Sequence, residues 1–245
     1  MGQQRFSMQP VHQNKFPVKF QLEGRPVVVS RRTLIAGLLA LPIAACDNIT
    51  IAQNITRAVR FSVLGVPDFS ISRDAVTSLP YASVAAKIGK GPRSLLILWR
   101  RERDDLHWLS ADNAALVTRG GRIVKTAGLP ENIRDTVFTG PDPVATGLHE
   151  NAHGLTATRA LDLDPGQYGL SIRSNFAVNG PRQVTITEIQ FDTILVTERN
   201  IARTLNWSFN NQYWVDPADG FVWKSRQHIA RGFPPVILEM LKPAI

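Results

Sequence analysis

With 245 residues, of which 44% are hydrophobic and 20% charged, the chain can bury a core as one domain of ordinary size or as two small ones. Its formal charge of +8 falls to about +3 without the first 45 residues, which hold six of the 28 basic and one of the 20 acidic residues, and this excludes a nucleic-acid-binding function. The single cysteine excludes an intrachain disulfide and a metal site of several thiolates, so an exported domain must be held by its core alone.

Residues 1–45 have the pattern of a leader and signal peptide. Arg31 and Arg32 precede an apolar region at 33–45, which is shorter than the ~20 apolar residues of a membrane span and typical of a secretory signal. The arginine pair resembles a twin-arginine export signal, but an ordinary Sec leader is also positively charged, and both routes stay open. Residues 1–29 show no periodicity and are predicted to be a disordered n-region. An over-extended gene start would explain their length.

The end of the apolar region has the order of residues found in a bacterial lipobox. Ile43 is branched and apolar, Ala44 and Ala45 are small, and Cys46 offers the thiol that receives a lipid. The alternative is a free cysteine buried at the end of a core helix. Because Cys46 closes the apolar run and polar residues follow at once, we predict that it is lipidated and anchors the chain to the membrane.

Residues 46–63 are predicted to comprise the lipid anchor and one amphipathic helix. Ile51, Ile55, Ala58 and Val59 follow the spacing of a helix with one apolar face. That face could pack on the domain or lie on the membrane surface.

Residues 64–245 are predicted to form a single antiparallel β domain. A short helical turn capped by Ser72 comes first, and short apolar runs separated by Gly, Pro and Asp turns follow. The predicted strands are 84–88, 94–100, 106–110, 115–118, 122–126, 168–176, 183–191, 194–198, 205–215, 221–224 and 233–241. Sequential hairpins without long helices indicate an all-β fold, mainly one antiparallel sheet arranged as a barrel or sandwich with a few short helical turns.

Four local features accompany this prediction. The run 95–99 is apolar enough to be buried on both faces. Residues 129–137 could form one or two helical turns, with Pro130 at the first position. Residues 140–166 are rich in Pro and Gly and are expected to be mostly loop. The alternation changes phase between Ile186 and Ile189, which suggests a bulge.

His149, Glu150 and His153 match the zinc-hydrolase pattern H-E-x-x-H, in which two His on one helix face bind zinc and the Glu activates water. The pattern needs a stable helix, yet Gly147 and Gly154 bracket it and a Pro-rich stretch precedes it. We therefore treat the three residues as weak metal candidates and predict no metal site, no cofactor and no catalytic residue.

The tryptophans are more typical of packing than of recognition. Because side chains alternate along a strand, Trp214 points away from the face that Trp207 and Phe209 share. Trp214 is the tryptophan most expected to be exposed, and with Tyr213 it is a candidate glycan or partner surface. The five tryptophans are Trp99, Trp108, Trp207, Trp214 and Trp223.

Several stretches, in the same order and following a lipobox, resemble the YjbF/GfcB lipoproteins of group 4 capsule and exopolysaccharide gene clusters. They are residues 61–68 (FSVLGVPD), 79–83 (LPYAS), 121–129 (GRIVKTAGL), 211–217 (NQYWVDP) and 223–227 (WKSRQ). Together they span nearly all of the chain beyond Cys46.

The resemblance implies a non-enzymatic, mainly β lipoprotein of the periplasmic side that acts in secretion or assembly of an extracellular polysaccharide. It implies an outer-membrane β-barrel protein and a periplasmic export protein as partners, and it supplies no catalytic residue. It favours the outer membrane, whereas Asp47, directly after Cys46, is a residue that retains lipoproteins in the inner membrane of enteric bacteria. A zinc-dependent hydrolase and a passive envelope scaffold are the alternative functions.

Overall fold

The computed structural model describes residues 72–148 and 150–244. The predictions for residues 1–45, for Cys46 and Asp47 and for a helix within 46–63 fall outside these ranges. No helix within them is long and apolar enough to span a membrane. The elements are one helix, α1 Arg73–Ser78; twelve strands, β1 Ser83–Ile88, β2 Arg93–Glu102, β3 Asp105–Ser110, β4 Ala115–Arg119, β5 Arg122–Ala127, β6 Asn132–Thr139, β7 Thr156–Asp164, β8 Gln167–Ile186, β9 Ile189–Ala202, β10 Trp207–Val215, β11 Val222–Gln227 and β12 Val236–Lys242; and 3-10 turns at Glu150–Ala152 and Arg203–Leu205.

The twelve strands form one antiparallel sheet in the order β5-β4-β3-β2-β1-β12-β11-β10-β9-β8-β7-β6. The last strand lies between β1 and β11, so two meanders join side by side. The edge strands β5 and β6 then meet through side chains: the Ile133 amide donates to Thr126 Oγ1 at 2.9 Å, and Thr136 Oγ1 donates to the Val124 carbonyl at 2.8 Å. The sheet is a nearly closed barrel, which confirms the predicted all-β fold class.

The helix and most hairpins agree with the sequence prediction. Ser72 caps α1 by accepting a hydrogen bond from the Ala75 amide at 3.3 Å. In β10, Trp207, Phe209, Tyr213 and Val215 are all buried, as their spacing indicates.

The helical turns predicted at 129–137 are wrong, because β6 occupies most of this range. Asn132 explains the difference. Its Nδ2 donates to the Leu129 carbonyl at 2.6 Å and its Oδ1 accepts from the Leu129 amide at 3.2 Å, which closes a turn directly before the strand.

The loop predicted at 140–166 is wrong at its C-terminal end, where β7 runs through Thr156–Asp164. Its inward positions are Ala157, Arg159, Leu161 and Leu163, all buried. The arginine interrupts the apolar alternation that would otherwise identify this strand.

The phase shift at 186–189 marks a hairpin turn and not the predicted bulge. Thr187 and Glu188 have φ of 45° and 69° and connect β8 to β9 through the pair Ile186 and Ile189. This two-residue turn usually carries Asn-Gly, so Thr-Glu gave no signal for it.

Burial of residues 95–99 on both faces is also wrong. Leu96 is buried, but Trp99 is 67% exposed and lies at a register shift between Leu98 and Arg100, where it has no paired residue on β3.

The turn between β4 and β5 depends on two glycines. Gly120 has a φ of +56°, and a Cβ there would lie 2.6 Å from the Val144 carbonyl oxygen and from the Ala145 Cα. A Cβ on Gly121 would lie 2.5 Å from the Val222 Cβ. The glycines therefore let this turn approach the segment after β6 and the start of β11.

Gly120→Ala is expected to lower the free energy of unfolding by roughly 2–3 kcal/mol, because the backbone strain and the overlap with residues 144–145 add. Gly169→Ala is the matched control: its φ is +62°, and nothing lies within 4 Å of its Cβ position. Gly169→Ala should lower the free energy of unfolding by about 1 kcal/mol, because it adds backbone strain without an overlap. Urea unfolding measures both, and equal losses would disprove the close-approach explanation.

Candidate functional site

Five ionisable side chains are buried together inside the barrel: Arg122, Asp142, Arg159, Glu198 and Tyr213. We call them the interior charge cluster. Inward positions of β5, β7, β9 and β10 supply four of them, and the segment after β6 supplies Asp142. Buried ionisable groups mark candidate catalytic centres, so their partners decide what the cluster can do.

Arg122 bridges two carboxylates with its guanidinium. Its Nε and Nη2 donate to Asp142 at 2.8 and 3.0 Å, and its Nη1 and Nη2 donate to Glu198 at 3.0 and 2.9 Å. Both pairs are bidentate, the strongest and most directional form of this interaction.

Glu198 receives three more hydrogen bonds. Arg159 Nη1 donates to Oε1 at 2.8 Å, while Asn211 Nδ2 and the Tyr213 hydroxyl donate to Oε2 at 2.9 and 3.2 Å. Both carboxylate oxygens are therefore occupied, and Glu198 is 0% exposed.

The electrostatics fix the charge states. Burial alone would raise the pKa of the Glu198 carboxyl, but the charges of Arg122 and Arg159 and the hydrogen bonds to it outweigh burial and hold that pKa well below its usual range. Burial raises the pKa of the Tyr213 phenol well above its usual value, although Arg122 opposes this. Glu198 is thus ionised and Tyr213 neutral at ordinary pH.

The cluster is arranged to hold the barrel together. Two positive and two negative groups pair in the interior, and a carboxylate whose oxygens already accept five hydrogen bonds is a poor base. Arg122 on edge strand β5 joins Glu198 on β9, and the Ile123 amide of β5 donates to Gln227 Oε1 on β11 at 3.0 Å. These bonds connect the edge strand β5 across the barrel interior to β9 and β11.

A cavity of about 310 Å³ opens where the β4–β5 turn, residues 144–147 and residues 219–225 meet. Trp108, Phe221 and Trp223 contribute aromatic rings to it. Trp223 stacks on Phe191 with ring centroids 4.0 Å apart and meets Phe221 edge-on at 4.8 Å. Because these ring contacts fix the orientation of Trp223, the cavity offers an aromatic surface beside backbone polar groups. Such a surface could bind a sugar unit or a small apolar group.

The structure separates the two residues of the predicted glycan or partner surface. Trp214 is half-buried on the outward face, with Lys224 Nζ 5.7 Å from its ring centroid. Tyr213 belongs to the interior charge cluster and is 0% exposed, so its assignment to this surface is wrong. Strand alternation forces the two neighbours to opposite faces.

The H-E-x-x-H segment does not form the α-helix that its motif needs. Residues 150–152 make a single 3-10 turn, and His153 is exposed, its Nδ1 accepting from the Val178 amide at 3.4 Å. His149 lies outside the described residues. Within the described ranges, no three His, Cys, Asp or Glu side chains converge as a metal site.

Comparison with known families identifies the chain. Residues 56–241 match the model of the YjbF family, described as group 4 capsule polysaccharide lipoprotein gfcB, YjbF. The chain belongs to the YjbF family. The match includes all of β1 to β11 and most of β12, so the whole barrel is family structure.

Relatives of this YjbF-family chain cover most of its length. Two are Escherichia coli K12 lipoproteins: GfcB is 28% identical over 87% of this chain and 99% of its own, and YjbF is 25% identical over 84% and 96%. The crystal structure of the hypothetical lipoprotein YmcC from Escherichia coli K12 superposes with a TM-score of 0.65 at 27% identity, covering 78% of this chain and 96% of that one. All three relatives are described as lipoproteins.

Sequence reasoning missed the interior charge cluster. Arg122 and Glu198 lie in predicted strands and Arg159 lies in a predicted loop, and no role is predicted for any of the three. The sequence does carry one signal for the cluster: a single charged residue at a position where the alternation of the strand predicts an apolar one. Arg159 is such a residue, since it lies between Ala157 and Leu161 on the buried face of β7.

Proposed function

We propose that this YjbF-family chain is a non-enzymatic, lipid-anchored envelope protein that assists secretion or assembly of an extracellular or capsular polysaccharide. The observation that carries the proposal is the match of residues 56–241 to a family described as a capsule polysaccharide lipoprotein. Its partners would be an outer-membrane β-barrel protein, periplasmic export proteins and the polysaccharide itself.

The geometry supports a binding role over a catalytic one. Glu198 and Tyr213, whose pKa values burial and the neighbouring charges shift strongly, are shielded from solvent and hydrogen-bonded to one another. The cavity near Trp223 and the outward face around Trp214 present rings and polar groups, which suit recognition of sugars.

The anchor would be Cys46, and family resemblance favours the outer membrane. Asp47 favours the inner membrane. Membrane fractionation of the unchanged chain beside Asp47→Ser separates these positions: an inner-membrane protein that moves to the outer membrane on substitution would assign the sorting role to Asp47.

Deleting the gene is expected to lower the amount of surface polysaccharide, and the unchanged chain should restore it. Quantifying extracellular and cell-bound polysaccharide checks this. Unchanged polysaccharide in the deletion strain would overturn the proposed function.

A glycan pull-down with the producing strain's polysaccharide distinguishes a glycan-binding protein from a passive envelope scaffold. If the outward face binds glycan, Trp214→Ala should weaken capture by roughly tenfold, the loss expected for one aromatic contact. Trp99→Ala is the matched control, since it removes a more exposed tryptophan from β2. A scaffold would show no capture to lose, and an equal loss in both variants would contradict the assignment to Trp214.

A further inference from the structure

The outward face of β8 and β9 carries a shallow pocket near the end of β9. It has a volume of about 160 Å³ and is lined by Ser171, Arg173, Ile201, Arg203 and Thr204. Ile201, next to the last residue of β9, is 50% exposed and contributes an apolar side chain to the pocket. The pocket therefore combines this apolar side chain with two arginines.

Both arginines are available for a ligand. Within residues 72–148 and 150–244, the guanidinium groups of Arg173 and Arg203 make no ion pair or hydrogen bond. Arginines elsewhere on the sheet differ: Arg119 is paired with Asp105 at 2.6 Å, and Arg93 with Glu239 at 2.6 Å. The two pocket arginines thus retain unused donors, five on each side chain.

The strand register extends this surface as two rows in which every side chain except Ile201 is polar. One row aligns Thr158, Arg173, Ile201 and Ser208, and the next aligns Thr156, Asn175, Arg199 and Asn210. Each is half-buried or exposed, and none carries a carboxylate. Arg199 adds a third guanidinium that makes no ion pair with a described residue. The face is positively charged and surrounded by hydroxyl and amide groups.

We propose that the pocket of Ser171, Arg173, Ile201, Arg203 and Thr204 binds a carboxylate-bearing sugar of an anionic polysaccharide. The inference rests on the proposed function and names the chemical class of its glycan. Arginine matches a carboxylate in fork geometry, Ile201 offers an apolar surface to the C–H face of a sugar ring, and the hydroxyl and amide groups suit sugar hydroxyls.

A membrane surface carrying anionic lipid is the competing occupant. Proteins bind such surfaces through lysine and arginine side chains placed around protruding aromatic and aliphatic residues. Here a single isoleucine lines a concave pocket together with the hydroxyl groups of Ser171 and Thr204, and amide side chains lie in the next row of the sheet. These features favour a polar polymer over lipid.

The test uses the full chain in nonionic detergent and measures its affinity for polygalacturonate and for neutral dextran. Polygalacturonate should bind and dextran should not. Arg173→Gln with Arg203→Gln should weaken polygalacturonate binding by roughly tenfold to hundredfold. Arg173→Lys with Arg203→Lys, which keeps the charge and loses the fork, should be intermediate.

The matched control is Arg101→Gln with Arg182→Gln, which removes the same charge from exposed positions outside the pocket. Its affinity should change by less than roughly threefold. Equal losses in the two double variants would show nonspecific charge attraction and overturn the site. So would displacement of polygalacturonate by phosphatidylglycerol added to the micelles, since lipid would then be the occupant.

The proposed function and this site fail in different ways. If gene deletion lowers surface polysaccharide but the unchanged chain does not bind polygalacturonate, the site is wrong and the function stands. If deletion changes nothing while polygalacturonate binding depends on Arg173 and Arg203, the site stands and the function is wrong.

Discussion

Arg122→Met is expected to lower the free energy of unfolding by roughly 3–5 kcal/mol, the usual cost of removing one partner of a buried ion pair. The substitution leaves the Asp142 carboxylate without the guanidinium that binds both of its oxygens, and leaves Glu198 with one arginine in place of two. Arg122 is only 2% exposed, so water cannot replace those donors. Urea unfolding followed by tryptophan fluorescence measures the loss.

Two further variants test the explanation. Arg122→Lys should recover only part of the loss, because an ammonium cannot form both bidentate pairs. Arg101→Met, at an exposed site of β2, should change stability by less than about 0.5 kcal/mol. Similar losses for Arg122→Met and Arg101→Met would contradict a structural role for the interior charge cluster.

A double-mutant cycle with Asp142 isolates the pair. Asp142→Asn should cost less in the Arg122→Met background than in the unchanged chain, because the interaction it removes is already absent there. Additive losses would mean that Asp142 and Arg122 contribute independently.

The strands that the sequence predicts well are those whose signals are local. The glycines of the β4–β5 turn, the Asp-Pro-rich turn before β11 and the alternation from Trp207 to Val215 each act over a few residues. Two of the five stretches behind the family resemblance, 121–129 and 211–217, overlap these signals, and the match of 56–241 confirms the family.

The sequence failed where distant partners decide the conformation. Arg159 faces inward with its charge paired to Glu198, 39 positions later, and that partner cannot be read from the local sequence. A single-sequence pattern treats such groups as solvent-facing. The pocket at Arg173 and Arg203 was missed likewise, since only strand pairing brings β8 and the end of β9 together.

The interior charge cluster also explains how the barrel, which contains no cysteine, closes without a disulfide. Side-chain bonds join β5 to β6 at the seam, while Arg122 and Gln227 tie β5 across the interior. These links are noncovalent cross-links between distant strands. They also depend on charge, so stability should vary with pH.

Glu198→Gln is expected to lower the free energy of unfolding by about 3 kcal/mol at neutral pH. The amide keeps the shape of the carboxyl but removes its charge from between Arg122 and Arg159, and turns an NH2 group toward donors. Glu188→Gln makes the same chemical change on an exposed turn residue and should cost less than about 0.5 kcal/mol.

The stabilising effect of the Glu198 carboxylate should decrease as the pH falls. The pKa of Glu198 lies well below its usual range in the folded chain, whereas it is about 4.3 when unfolded. Its stabilisation is therefore complete above the unfolded pKa and is lost as pH falls toward the folded one. Between pH 6 and pH 3, the stability difference between the unchanged chain and Glu198→Gln should shrink, while the difference for Glu188→Gln stays near zero. A difference that is constant over this range would show that Glu198 is not held ionised by its arginines.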